Sequence, residues 1–139
     1  MIKKDCTFCN FAHKNRVIYQ DQFCIVFVST NPINSYHAII APVEHFEKFT
    51  EIPDDILTHL IKITQKISRA VVLACNPDAV THITDDDLKG EGYNLVSHFK
   101  IHVIPRFKDD RDLINFGKLR KIESEENLSI YASTIRENL

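Results

Sequence analysis

Tryptophan is absent, methionine occurs once, and only three glycines and five prolines are spread over 139 residues. So little glycine and proline leaves little room for low-complexity linkers, and no segment repeats another. Long apolar runs are missing as well. The longest, FCIVFV and AVVLAC, fall far short of the roughly 20 residues that a membrane-spanning helix needs. The opening MIKKDCTFC has no apolar core of a secretory signal, so a cytoplasmic chain with no membrane partner is expected. Neither sign of charge dominates. A net charge of −2 gives no general reason for a nucleic-acid partner, and the six basic against three acidic residues from Arg106 to Lys121 read as solvated surface.

What is present is ordinary for a soluble domain: 44% hydrophobic and 26% charged residues, in a length that favours one domain over 1–139. The four cysteines divide into two kinds. Cys24 and Cys75 lie inside apolar runs and read as small buried residues, whereas Cys6 and Cys9 form C-x-x-C. In a reducing compartment that pair suggests metal or redox chemistry more than a structural disulfide.

Strands are expected at RVIYQ and FCIVFVS, joined by the polar pair Asp21-Gln22, and at HAIIAP, closed by Pro42. The best helix signal follows. Pro53 suits a first turn, Asp54 and Asp55 suit a positive helix start, and Ile56, Leu57, Leu60, Ile61, Thr64, Ile67, Val71 and Ala74 recur at helical spacing before Asn76-Pro77 ends the run. A strand AVTHIT then leads through the acidic loop DDDLKGEG into one long strand, NLVSHFKIHVIPR, and a weaker helical tail spans Glu123 to Asn138, capped by Ser124 or a neighbour. The pattern predicts an α+β fold, an antiparallel sheet of about five strands with one long helix on one face. The site then belongs on the other face.

Within SHFKIHVIPR, alternation sends His98, Lys100 and His102 one way and Phe99, Ile101 and Val103 the other. The polar row can face a substrate, a metal or solvent. For a metal, Cys6 and Cys9 have the spacing of a zinc half-site, and His45 and His98 are the chosen nitrogen ligands. For phosphate, a histidine nitrogen can attack phosphorus while a neighbouring imidazole or ammonium holds its oxygens. Lys100 would bind phosphate readily and attack it poorly. A polar outer sheet face is the bland alternative. His13 and His59 are expected to be exposed and His82 to be structural.

Over most of its length, to about Arg106, the chain resembles the histidine triad family of small nucleotide-binding hydrolases and transferases. DCTFC, NPINSYHAIIAPVEH and NLVSHFKIHVIPR carry the resemblance. It implies a core of about 1–106 with a C-terminal extension, 107–139. The family's strand reads histidine, apolar, histidine, apolar, histidine, two apolar; here Lys100 stands where the middle, nucleophilic histidine is expected.

The resemblance also implies roles for particular residues, a metal and a partner. His102 would contact phosphate, His37 would lie beside the site, and Asn94 and Ser29 would occupy the phosphate-positioning and ribose-binding places. Tyr36 would narrow the pocket, and Asp85 to Asp87 would repel phosphate unless a cation intervened. A structural zinc would sit on Cys6, Cys9, His45 and His98. Two chains would pair as a homodimer through the long helix and an edge strand.

Two functions follow. One is a protein that binds a purine nucleotide or another phosphate-bearing small molecule, with a degenerate triad and little or no turnover. The other is an active hydrolase or nucleotidyl transferase acting at an α-phosphate, on a nucleoside phosphoramidate or a dinucleoside polyphosphate, with Lys100 as nucleophile or charge stabiliser and His102 as phosphate binder.

Overall fold

In the computed structural model, which describes residues 1–110 and 122–138, one carboxylate shapes the first hairpin. Asp21 Oδ1 accepts the backbone N–H groups of Phe23 (2.8 Å) and Cys24 (2.9 Å), which turns β1 (Val17–Gln20) into β2 (Cys24–Val28). Its Oδ2 accepts from Tyr19 Oη and His59 Nε2, each at 2.8 Å. His59, expected in solvent, is therefore half-buried and ties the long helix to the hairpin. Burial alone would raise the Asp21 pKa, but these four donors overcome it and hold the carboxyl well below its usual range.

The strands β3 (Ala38–Pro42), β4 (Ala79–Ile83) and β5 (Ile101–Arg106) complete an antiparallel sheet in the order β1-β2-β3-β5-β4. The helix α1 (Asp54–Cys75) covers one face. Its N-terminal turn carries Asp54 and Asp55, and it ends at Asn76, which has φ 45° and donates its N–H to Val72 O. Leu60, Ile63, Thr64, Ile67 and Val71 point inward. Ile61, counted on the apolar stripe from sequence, is instead 53% exposed, and Ile63 takes its place. The core under α1 joins these residues to Cys24, Val26, Ala38, Ile40, Phe99, Ile101 and Val103. A smaller cluster on the opposite face gathers Ile25, Phe27, Ile39 and Ala41 under Phe8, Phe11 and Val17.

The long strand expected from Asn94 is shorter, because β5 begins at Ile101. Upstream of it the hydrogen bonds leave the sheet: Phe99 N–H goes to Phe46 O at 2.6 Å, and the His98 ring occupies the carbonyl of Pro42. Cys24 is fully buried, Cys75 is half-buried, and His82 is held by Ser68 Oγ at 2.7 Å.

The tail forms α2 (Glu125–Glu137), where Ser124 Oγ accepts the N–H of Asn127 at 3.2 Å as an N-cap does. Of the basic stretch noted in the sequence, residues 111–121 lie outside the described residues. Among the described residues, no helix is long and apolar enough to cross a membrane.

Because the Asp21 pKa is depressed on folding, its contribution is complete above about pH 4 and is lost as acid protonates it. Asp21→Ala is expected to lower the unfolding free energy by about 2 kcal/mol at neutral pH. In urea titrations the gap between variant and wild type should narrow at acidic pH.

Candidate functional site

The alternation of side chains continues upstream of β5 although the ladder does not. Phe99, Ile101 and Val103 enter the core under α1, and His98, Lys100 and His102 occupy the other face. The three polar residues have different partners.

His98 faces the N-terminal segment. Its Nδ1 lies 3.3 Å from Cys6 Sγ and 3.6 Å from Cys9 Sγ, and His45 Nδ1 lies 3.4 Å from Cys9 Sγ. The four ligand atoms are all within 4.8 Å of one another. Each imidazole has its other nitrogen engaged: His98 Nε2–H donates to Pro42 O at 2.9 Å, and His45 Nε2 lies 3.3 Å from Glu47 Oε1. Such outer bonds place the ring proton on Nε2 and leave the Nδ1 lone pair pointing inward, the tautomer that ligates a metal. Burial pushes the His98 pKa down to about 4, so the ring is neutral, and burial raises the Cys9 thiol. These four residues could hold one metal ion.

Asp21, Cys24 and His59 also lie close together. Their chemistry differs, because the Asp21 oxygens already accept four donors and burial pushes the Cys24 thiol up to about 12.

Lys100 and His102 open onto a cavity of about 570 Å³. Phe8, Phe11 and Phe27 supply its aromatic side, Ser29 and His37 lie along another, and residues 93–96 form a wall. Lys100 Nζ donates to Asn94 Oδ1 at 3.0 Å and to Val96 O at 2.9 Å, and stands 5.4 Å from the centre of the Phe8 ring. The Asn94 amide in turn donates to Asp85 O. Burial brings the Lys100 pKa down to about 8, while the Asp85 charge opposes the shift.

The histidines form a relay with assignable protons. Ile33 N–H donates to His37 Nδ1 at 3.1 Å, which leaves the His37 proton on Nε2; that nitrogen lies 2.9 Å from His102 Nδ1 and donates to it. His102 then carries its own proton on Nε2. It is thereby set up as a neutral donor for an anion.

Two expectations change. Tyr36 does not narrow the cavity: it is 52% exposed, lies outside the lining, and takes the left-handed φ of 66° that favours glycine. The acidic run is not a block of free carboxylates either. Asp86 accepts Phe49 N–H, and Asp87 accepts the N–H groups of Glu91 and Gly92. Sequence reasoning missed Phe8 and Phe11 as lining residues; for Phe8 the available signal was an aromatic side chain placed between two candidate ligands.

The arrangement agrees with what similarity to known proteins shows. Residues 10–109 match the model of the HIT domain. The chain belongs to the HIT domain family. An uncharacterized HIT-like protein of Methanocaldococcus jannaschii is 28% identical over 137 residues, covering 88% of this chain and 95% of its own. An adenylylsulfatase of Arabidopsis thaliana is 26% identical over 112 residues, covering 78% of this chain and 56% of its own. A HIT family crystal structure from Bacillus subtilis shares the fold, with a TM-score of 0.83 at 21% identity and 98% of both chains covered. The five-stranded antiparallel sheet covered by α1 is thus a HIT-like α+β fold.

Burial lowers both relay histidines to about 4, with a neighbouring charge, His102 for His37 and Lys100 for His102, acting in the same direction. Proton-coupled nitrogen NMR is expected to show both rings in the Nε2–H tautomer, with titration midpoints well below the usual value of about 6.5. Since these pKa values fall on folding, the neutral rings should cost stability as pH drops through the unfolded value towards the folded ones.

Proposed function

We propose that this HIT protein binds a purine nucleotide, or another phosphate-bearing small molecule, beside a structural zinc and with little or no turnover of the family type. One observation carries the reading. Lys100 stands where the resemblance expects a nucleophilic histidine, and its nitrogen donates to Asn94 Oδ1 and Val96 O. An ammonium held this way offers charge and a hydrogen bond to a phosphate oxygen but no lone pair to phosphorus. His102 Nε2–H would supply a second donor, Ser29 on the cavity lining would take a ribose hydroxyl, and the Phe8, Phe11 and Phe27 side suits a base.

The name of the Arabidopsis relative, an adenylylsulfatase, supports an adenylyl group as the ligand. It also favours a second reading, hydrolysis or nucleotidyl transfer at an α-phosphate with Lys100 stabilising charge. The whole chain is read as a single HIT domain in the cytoplasm, with its C-terminal extension.

Zinc fits the four-residue cluster by donor type and by spacing. A tetrahedral zinc with ordinary bond lengths separates a sulfur from a nitrogen ligand by about 3.6 Å. The three sulfur–nitrogen contacts of 3.3, 3.4 and 3.6 Å are close to that edge. When bound, the ion would supply structural closure between residues 6–9 and the strand face. Pairing of two chains through α1 and an edge strand belongs to the same reading, with Ile61, Val72 and Leu73 exposed on the helix.

Elemental analysis of protein purified without chelator is expected to find one zinc per chain; its absence removes the four-ligand assignment. AMP should bind, and Lys100→Met should weaken binding about tenfold through loss of a charged hydrogen bond. Wild type should not turn over adenosine phosphoramidate, and Lys100→His should gain measurable turnover if the other groups still support the reaction. Steady turnover by wild type that falls in Lys100→Ala selects the enzymatic reading.

A further inference from the structure

The zinc cluster and the cavity are joined by the two residues between the cysteine ligands. Thr7 and Phe8 lie inside C-x-x-C, and both line the cavity, as does Asn10 immediately after it. The Phe8 ring is central. It meets Phe27 edge-on at 5.1 Å between centroids, lies 5.7 Å from the His98 ring, and stands under the Lys100 ammonium at 5.4 Å. One side chain therefore touches the aromatic floor, a metal-ligand candidate and the cation of the pocket.

The segment's own hydrogen bonds are local. Cys6 N–H reaches Lys3 O, Asn10 N–H reaches Cys6 O, and the Asn10 amide donates to Lys3 O, Lys4 O and Cys6 O. These bonds shape the loop without fixing it to the sheet. The flanks are anchored, by His45 N–H to Met1 O at 3.1 Å, Lys3 to Glu47 at 3.0 Å and the Phe11 ring stacked on Phe27 at 4.1 Å, while residues 6–9 themselves meet the rest of the fold through the packing of Phe8 and the approach of Cys6 and Cys9 to His45 and His98. An ion bridging two thiolates on the loop to imidazoles on two other segments turns that approach into bonds.

We infer that zinc occupancy sets the nucleotide affinity of the cavity, with Phe8 as the positioning residue that couples the two sites. This inference rests on the nucleotide reading above. Zinc places Phe8 against Phe27 and beneath Lys100, so the wall is built before the nucleotide arrives and its ordering cost is not charged to binding. Loss of zinc frees residues 6–9 and leaves that cost to the ligand. Linkage makes the effect reciprocal: a nucleotide packed on Phe8 must tighten zinc by the same factor.

The test measures both directions in the full chain. AMP affinity, by calorimetry, is expected to fall about tenfold when zinc is removed. Zinc affinity, by competition with a chromophoric chelator, is expected to rise about tenfold at saturating AMP. Phe8→Ala with zinc loaded should keep one metal per chain while AMP no longer alters zinc affinity. AMP affinity of zinc-loaded Phe8→Ala, expected about tenfold below that of zinc-loaded wild type, is read without removing metal and so stands even if the zinc-free chain unfolds. Equal AMP affinity with and without zinc in a folded chain, or a zinc affinity in wild type that ignores AMP, overturns the coupling. Persistence of the full coupling in Phe8→Ala removes Phe8 as its carrier. If zinc-loaded wild type fails to bind AMP at all, the nucleotide reading falls and takes the inference with it.

Discussion

Three polar side chains, two just before β5 and one on it, face away from α1, and groups so far removed from water cannot stay there unless each has a partner; the site is the set of partners they require. His98 is fully buried and Lys100 is 5% exposed. A buried donor without an acceptor costs on the order of 1–3 kcal/mol, more when charged. His98 is satisfied by Pro42 O on one nitrogen and by the cysteine pair on the other. Lys100 draws in Asn94 and Val96, and His102 is held by His37. Among the described residues, no buried side-chain nitrogen or oxygen lacks a partner.

The opposite face makes that polar row affordable. Phe99, Ile101 and Val103 alternate with it and are nearly or fully removed from water against α1. One strand is therefore held rigidly by apolar packing on one side while it presents fixed polar groups on the other. His102 on this strand, with Lys100 just before it, gives the site one rigid side, and residues 6–10 and 93–96 supply the rest of its wall. The Lys100 contacts extend that order to residues 94–96, so the cation also shapes the wall of the cavity it serves.

Much of this was legible in the chain because local spacing encodes it. The alternation in SHFKIHVIPR, the helical period from Asp54 to Cys75 and the C-x-x-C pair each arise from backbone geometry that repeats every few residues. The failures have equally specific causes. Ile61 and Ile63 differ by half a turn of α1, and only the sheet beneath decides which is inside. His59 looked exposed because its partner, Asp21, lies in a distant hairpin. The triad strand looked longer because the diversion of Phe99 N–H to Phe46 O leaves no trace in the apolar pattern.

The sequence by itself determined the α+β class, the faces of the central strand, the family and the four candidate ligands, since these depend on residue type and short-range period. Tertiary structure alone decided that Asp86 and Asp87 are taken up by backbone N–H groups, that Tyr36 faces solvent, and that the Phe8 ring lies between His98 and Lys100. Those outcomes depend on which distant groups meet within a few ångströms. A hydrogen bond or a ring contact is a short-range event between segments far apart in the chain, and only the fold brings them together.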